Sequence, residues 1–186
     1  LTFLSITIGV GAVEAVLLAT ATTRQAQRDI IKTISGKADI EIVASGTGFP
    51  YATLKEVAND PEVEAAVPGL KRSASLQTSN GRKADTQVLG IDPRIDQSVR
   101  DYKLVEGQMP ASLKQVVLDT SFAKSLLIQV GDSIKMRTRS GLEEYTVVGL
   151  VQPSAGASVA MNSAVYLVLP MAQRIFKTGN NIDQIQ

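Results

Sequence analysis

Two pairs of acids and one pair of serines are the side chains whose spacing invites a catalytic reading: Glu62 with Glu64, Glu143 with Glu144, and Ser73 with Ser75. Paired carboxylates suit general acid–base work, and a serine suits nucleophilic attack, provided that geometry and a base support them. Neither condition is met here. Glu62 and Glu64 lie at strand-like spacing beside Pro61, and Glu143 and Glu144 are neighbours on an expected hairpin, so both pairs read as solvated faces. The sequence has no His to activate a serine, and Ser73 and Ser75 lie in no nucleophile elbow. With no Cys either, zinc sites built on Cys and His, thiol nucleophiles and disulfides are excluded. The Gly-rich residues 45–50 lack the Lys-Ser/Thr ending of a phosphate-binding loop, and no strand precedes Gly9-Val10-Gly11, as a dinucleotide fingerprint would need. No catalytic, cofactor-binding or metal-ligating residue is assigned, and the chain is read as non-catalytic.

Charge and composition remove further classes. A formal net charge of +1, 4% aromatic residues and no Trp leave neither a basic stripe nor a stacking platform for nucleic acid. At 186 residues the chain is long enough for one ordinary domain, or two small lobes, around a hydrophobic core.

The strongest physical signal is the run over residues 1–21, which holds a single charge, Glu14. A membrane-spanning helix needs about 20 mostly apolar residues, whereas the apolar core of a signal peptide is shorter and follows a basic start. A transmembrane helix is therefore expected. Ser5 and Gly9, then Gly11, Ala15 and Ala19, recur four apart and would let another helix approach closely. Glu14 is expected near the outer boundary or against a helix bundle, since a carboxylate in hydrocarbon is costly. Ala26, Ile30 and Ile34 carry the helical period onward, with Arg24, Arg28 and Lys32 on a polar face, to a stop at Gly36. Such a rod would measure about 50 Å, joining membrane span and soluble domain.

Beyond Gly36, alternation over residues 39–43 predicts a half-buried strand. Thr53-Leu54-Lys55-Glu56 reads as a capping box opening a short helix that closes at Asn59-Asp60-Pro61. Residues 62–78 read as extended, broken at Pro68-Gly69, and Asn80-Gly81 predicts a hairpin into a strand over 82–91. Asp92-Pro93 starts a helical turn. A turn is expected over 106–110, a strand over 115–118, a helix capped by Asp119, a turn over 130–132, and two strands over 133–139 and 144–151. An apolar strand over 163–169, a helix over 170–178 and the start of a strand over 182–186 complete the reading.

The order Glu106-Gly107-Gln108-Met109-Pro110, Val116-Val117-Leu118-Asp119, Ala123, Val130-Gly131-Asp132-Ser133-Ile134 and Tyr145-Thr146-Val147-Val148-Gly149 resembles the periplasmic core domain of ABC-transporter permeases of the MacB/FtsX/LolC type. Ala38-Asp39-Ile40, Val88-Leu89-Gly90-Ile91-Asp92 and residues 166–173 have similar counterparts, so the resemblance covers nearly the whole chain. Its glycines and Asp132 are turn and close-packing residues, not catalytic ones. The element order itself reads as an α+β fold: a transmembrane helix and stalk over 1–36, the first part of a β-α-β lobe (porter-like, by the resemblance) over 37–104, an inserted β-rich lobe over 105–153, and a return to the first lobe over 154–186. The resemblance implies a permease subunit of the bacterial inner (plasma) membrane with its soluble domain periplasmic, and with further helices outside this sequence. It also implies a second permease subunit, a cytoplasmic ATPase that binds the ATP, and a periplasmic adaptor or lipoprotein substrate as possible partners. The function expected is mechanotransmission in export or extraction. The alternative is an FtsX-like membrane regulator or scaffold that activates an extracytoplasmic partner without transport.

Overall fold

A computed structural model describes residues 14–17, 19, 20, 22, 23, 38, 40–153 and 163–186. Its described body is an α+β domain of many strands and few helices. In chain order the strands are β1 (Ile42–Val43), β2 (Phe49–Pro50), β3 (Pro68–Thr78), β4 (Lys83–Ile91), β5 (Tyr102–Gly107), β6 (Gln115–Asp119), β7 (Ser133–Thr138), β8 (Gly141–Pro153), β9 (Ala164–Val168), β10 (Asn181–Ile182) and β11 (Gln184–Ile185). The helices are α1 (Ala52–Ala58), α2 (Thr120–Leu126) and α3 (Leu169–Phe176).

Nine of these strands form one sheet, β1-β11-β3-β4-β9-β6-β8-β5, with β7 bridging β3 and β8. The bridge closes a circuit, since β3 pairs β4, β4 pairs β9, β9 pairs β6, β6 pairs β8, β8 pairs β7 and β7 returns to β3. The β4·β9 and β6·β8 pairs are parallel and the others in the circuit antiparallel. The strands of residues 105–153 thus share their sheet with those on either side.

Alternation explains the packing. Leu70, Ala74, Leu76, Val88, Ile134, Met136, Tyr145, Val147 and Val165 point to the face covered by α2 and α3, where Phe122, Met171, Ile175 and Phe176 complete the main core. Leu89, Ile91, Tyr102, Val117, Val151, Ala164 and Tyr166 form a smaller cluster on the opposite face. Full burial of each large apolar side chain contributes about 1.5–3 kcal/mol. Two glycines are demanded by contact. A Cβ on Gly107 would lie 2.1 Å from the Val148 carbonyl oxygen, at a φ of +75°, and one on Gly90 would lie 2.5 Å from Cβ of Ala172 in α3.

Several expectations hold. The Asn80-Gly81 hairpin joins β3 to β4, with Gly81 at φ +85°. Asp119 caps α2, its carboxylate accepting from Phe122 N–H at 2.9 Å. Other boundaries differ. The first helix begins at Ala52 and is capped by no side chain, because Thr53 already lies inside its first turn. Pro68-Gly69 opens β3 instead of breaking it, and residues 102–107 form β5, paired with β8, where a turn was expected from residue 106. Helix α3 ends at Phe176, with Lys177 in the left-handed conformation ahead of Gly179. Ile40, Ile42 and Val43 are exposed, so the first strand is not the half-buried one that its alternation suggests. It is an edge strand of two residues, and little of it is covered.

Most of the segment read as transmembrane helix and stalk lies outside the described residues. Residues 14–17, 19, 20, 22 and 23 are helical, and the hydroxyls of Thr20 and Thr23 donate to the carbonyls of Val16 and Ala19 at 2.7 and 2.8 Å. Such back-bonding satisfies a hydroxyl within its own helix. Among the described residues no helix is long and apolar enough to cross a membrane.

Candidate functional site

The acids and serines with catalytic spacing are not brought together. Glu62 and Glu64 are exposed ahead of β3. Glu143 accepts from Lys114 Nζ at 2.6 Å and Arg174 Nη2 at 3.3 Å, tying the β7–β8 hairpin to α3, while Glu144 accepts from Ser133. Lys114 chiefly holds the Glu143 carboxyl below its ordinary value. Ser73 Oγ accepts from Gln87 Nε2 at 3.0 Å across β3 and β4. Among the described residues no cluster of acids could hold a metal ion.

Three other places concentrate polar or concave structure. The first is the junction where the N-terminal strand meets the sheet. Ile42 and Val43 of β1 pair with Ile185 and Gln184 of β11, which in turn pair with Pro68 and Gly69 of β3. The buried Asp183 locks this corner. Its carboxylate accepts from Lys71 N–H at 2.9 Å and lies 2.7 Å from Arg72 Nη2, while its own backbone binds Gly69 and Ala44. Nothing local in the sequence marks Asp183, because its side-chain partners lie more than a hundred residues away. A carboxylate removed from water in this way is sustained by charge-assisted hydrogen bonds.

The second place is a buried polar knot between β4 and β5. Asp96 and Arg100, four apart around a 3-10 turn, form an ion pair whose side chains are 0% and 6% exposed. Burial, opposed by Arg100, raises the Asp96 carboxyl above its ordinary value. Burial, then the neighbouring Asp96, likewise raises the Tyr102 phenol. Arg100 lies across Gly69, where an added Cβ would come within 2.7 Å of its Nη2 and 2.8 Å of Gln184. The knot therefore presses on the same β3–β11 corner that Asp183 locks. An Asp–Arg pair at helical spacing was the available signal, but its burial is set by tertiary packing.

The third is a cleft of about 760 Å³ outside the ends of β4 and β9. These parallel neighbours both finish there, at Ile91 and Val168. Asp92-Pro93-Arg94, the loop before β6 and the first turn of α3 line it too, with Tyr51, Gln173 and Asn180 as further polar groups. The carboxyl ends of parallel strands are a recurrent place for ligand crevices. Arg94 Nε and Nη2 grip both Asp92 oxygens at 3.0 and 2.8 Å, and this pairing holds the Asp92 carboxyl below its ordinary value. Gln115 Oε1 fixes the loop before β6 by accepting from the N–H groups of Ala111 and Ser112 at 2.9 and 3.1 Å.

Comparison with known proteins agrees with this architecture. Residues 1–186 match the family described as MacB-like periplasmic core domain. The fold is similar to that of the periplasmic region of MacB from Actinobacillus actinomycetemcomitans, with a TM-score of 0.58, 16% identity, and 82% of this chain and 70% of that one covered. The extracellular domain of the noncanonic ABC-type transporter YknZ from Gram-positive bacteria is similar at a TM-score of 0.58 and 15% identity, over 82% and 79% of the two chains. A domain of a putative permease protein from Porphyromonas gingivalis follows at a TM-score of 0.57 and 13% identity, over 75% and 67%. No match was found among curated proteins.

Proposed function

The chain belongs to the MacB-like periplasmic core domain family, and from that premise we propose that it is the extracytoplasmic part of an ABC-transporter permease subunit. Its work is mechanical: to carry ATP-driven motion of membrane helices into a domain that acts on a substrate outside the membrane. ATP is bound by a partner ATPase, fused or separate, and this domain needs no cofactor. A second permease subunit and a periplasmic adaptor or lipoprotein substrate are the other expected partners, at the bacterial inner membrane. The division at residues 36/37, 104/105 and 153/154 belongs to the same proposal.

One observation carries this reading. The strand that follows the N-terminal segment pairs with β11, and β11 pairs with β3, a strand of the closed circuit. A displacement delivered to β1 is therefore handed to the body of the sheet through hydrogen bonds and the Asp183 lock. The similar YknZ structure is described as part of an ABC-type transporter, which supports the assignment. The FtsX-like alternative shares the same mechanics and differs in its target. Expressing the full-length protein with its genomic neighbours and assaying the purified complex for ATP hydrolysis tests the reading. Recovery of an ATPase with the protein is expected; purification with none, fused or separate, would contradict it.

A further inference from the structure

The cleft outside β4 and β9 has features that the mechanical role does not use. Ile91, Met109, Leu113, Val168 and Leu169 give it an apolar lining, in a volume of about 760 Å³. Ligand pockets for drug-sized molecules fall in the range of roughly 300–1,000 Å³ and combine such a lining with a few fixed polar groups.

The chemistry of its rim narrows the occupant. Asp92 and Arg94 are the charged residues of the lining, and they neutralise each other through two side-chain hydrogen bonds. An ionic ligand would therefore find no uncompensated charge in the lining. Several main-chain donors are missing or already taken. Pro93, Pro110 and Pro170 have no N–H, Ala111 and Ser112 give theirs to Gln115, and Arg94 gives its own to Asp92. A peptide seeking to add as a strand finds little to pair with along these loops. We propose that this cleft is a binding site for an electrically neutral, predominantly apolar small molecule, held by burial against Met109, Leu113 and Leu169.

This assignment stands independently of the permease reading. It is tested by photolabelling the full-length protein in lipid nanodiscs with benzophenone, and with 4-benzoylbenzoate, the same skeleton carrying one carboxylate. Adducts are then mapped by peptide mass spectrometry, and labelling of the membrane segment serves as an internal control. Benzophenone is expected to label Met109 or Leu113 saturably. Benzoylbenzoate is expected to do so roughly tenfold less well, as a charge without a partner is costly to bury. Leu113 is 45% exposed, so Leu113→Arg places a charge in the cleft without disturbing the core, and it is expected to abolish saturable labelling there. Leu142→Arg, at a similarly exposed position outside the lining, is expected to leave it unchanged. Non-saturable cleft labelling, equal labelling by the two probes, or indifference to Leu113→Arg would overturn the proposal. So would a concentration-dependent dimer lost in Leu113→Arg, which would assign the face to a second copy of the chain.

Discussion

Strands β3 and β8 run for 11 and 13 residues and carry partners along both edges, whereas β1 and β11, where the N-terminal segment joins the sheet, are two residues each. Inside the circuit, Val88, Val116, Leu118 and Val147 are 0% exposed; at the junction Ile42 and Val43 are 42% and 65% exposed. The circuit is held by apolar burial and close glycine contacts. The junction has the buried Ile185 of β11, a buried carboxylate and an arginine laid across Gly69, while β1 itself lies exposed. Apolar packing is non-directional and collective, so many contacts must fail together before the circuit yields. The two-residue β1 has few buried contacts, and local opening begins where such contacts are few. On the proposed reading, motion delivered to β1 would meet a stiff body through a short, breakable pairing.

The largest expected effect breaks the stiff side. Gly107→Ala forces a Cβ against the Val148 carbonyl at a positive φ, and a loss of about 2–4 kcal/mol in unfolding free energy is expected from denaturant titration. A midpoint within error of the parent's would show that the β5–β8 contact is not tight. Asp183→Ala attacks the other side. It leaves the Lys71 N–H without its side-chain acceptor and Arg72 without its charged partner, and about 1–3 kcal/mol is expected. The sharper readout is hydrogen exchange: faster at Lys71 and in β11, unchanged at Val116–Leu118. Uniform acceleration would erase the distinction between the two regions.

A smaller effect concerns pH. Glu143 is held below its ordinary value by Lys114 and Arg174, so its contribution is present above the unfolded-state value and is lost as pH falls through its folded-state value. Glu143→Gln should remove that part of the acid sensitivity at a cost under about 1 kcal/mol at neutral pH, since its partners are largely exposed. An unchanged acid profile would contradict the assignment. Smallest of all, Val43→Lys on the exposed edge should shift stability by no more than about 0.5 kcal/mol. A larger loss would mean that β1 is buried by something beyond the described residues.

Local chemistry made much of the circuit legible. Asn80-Gly81 marks its turn, Asp119 its helix cap, and the turn at Val130-Gly131-Asp132 the entry to β7, because each is decided by residues next to one another in sequence. The strand at 102–107 was not legible, because Glu106-Gly107 reads as a turn until Gly149 of β8 lies against it. The closure by β7 was hidden too, as it joins residues 134–137 to 75–78 with no local signal of the pairing. At the candidate sites sequence gave little. Asp183 and Arg100 look like any surface charge until tertiary packing buries them, and the cleft is assembled from separate segments of the chain.

The central claim is that displacement of the N-terminal segment is passed to the sheet through the β1–β11–β3 corner. The most direct test inserts a flexible Gly-Ser linker beside Gly36 in the full-length protein, then measures ATP hydrolysis and substrate movement by the complex. Continued hydrolysis with substrate movement lost is the result predicted, because the motor would run without a handle on the domain. Substrate movement at the parent's rate would contradict the account.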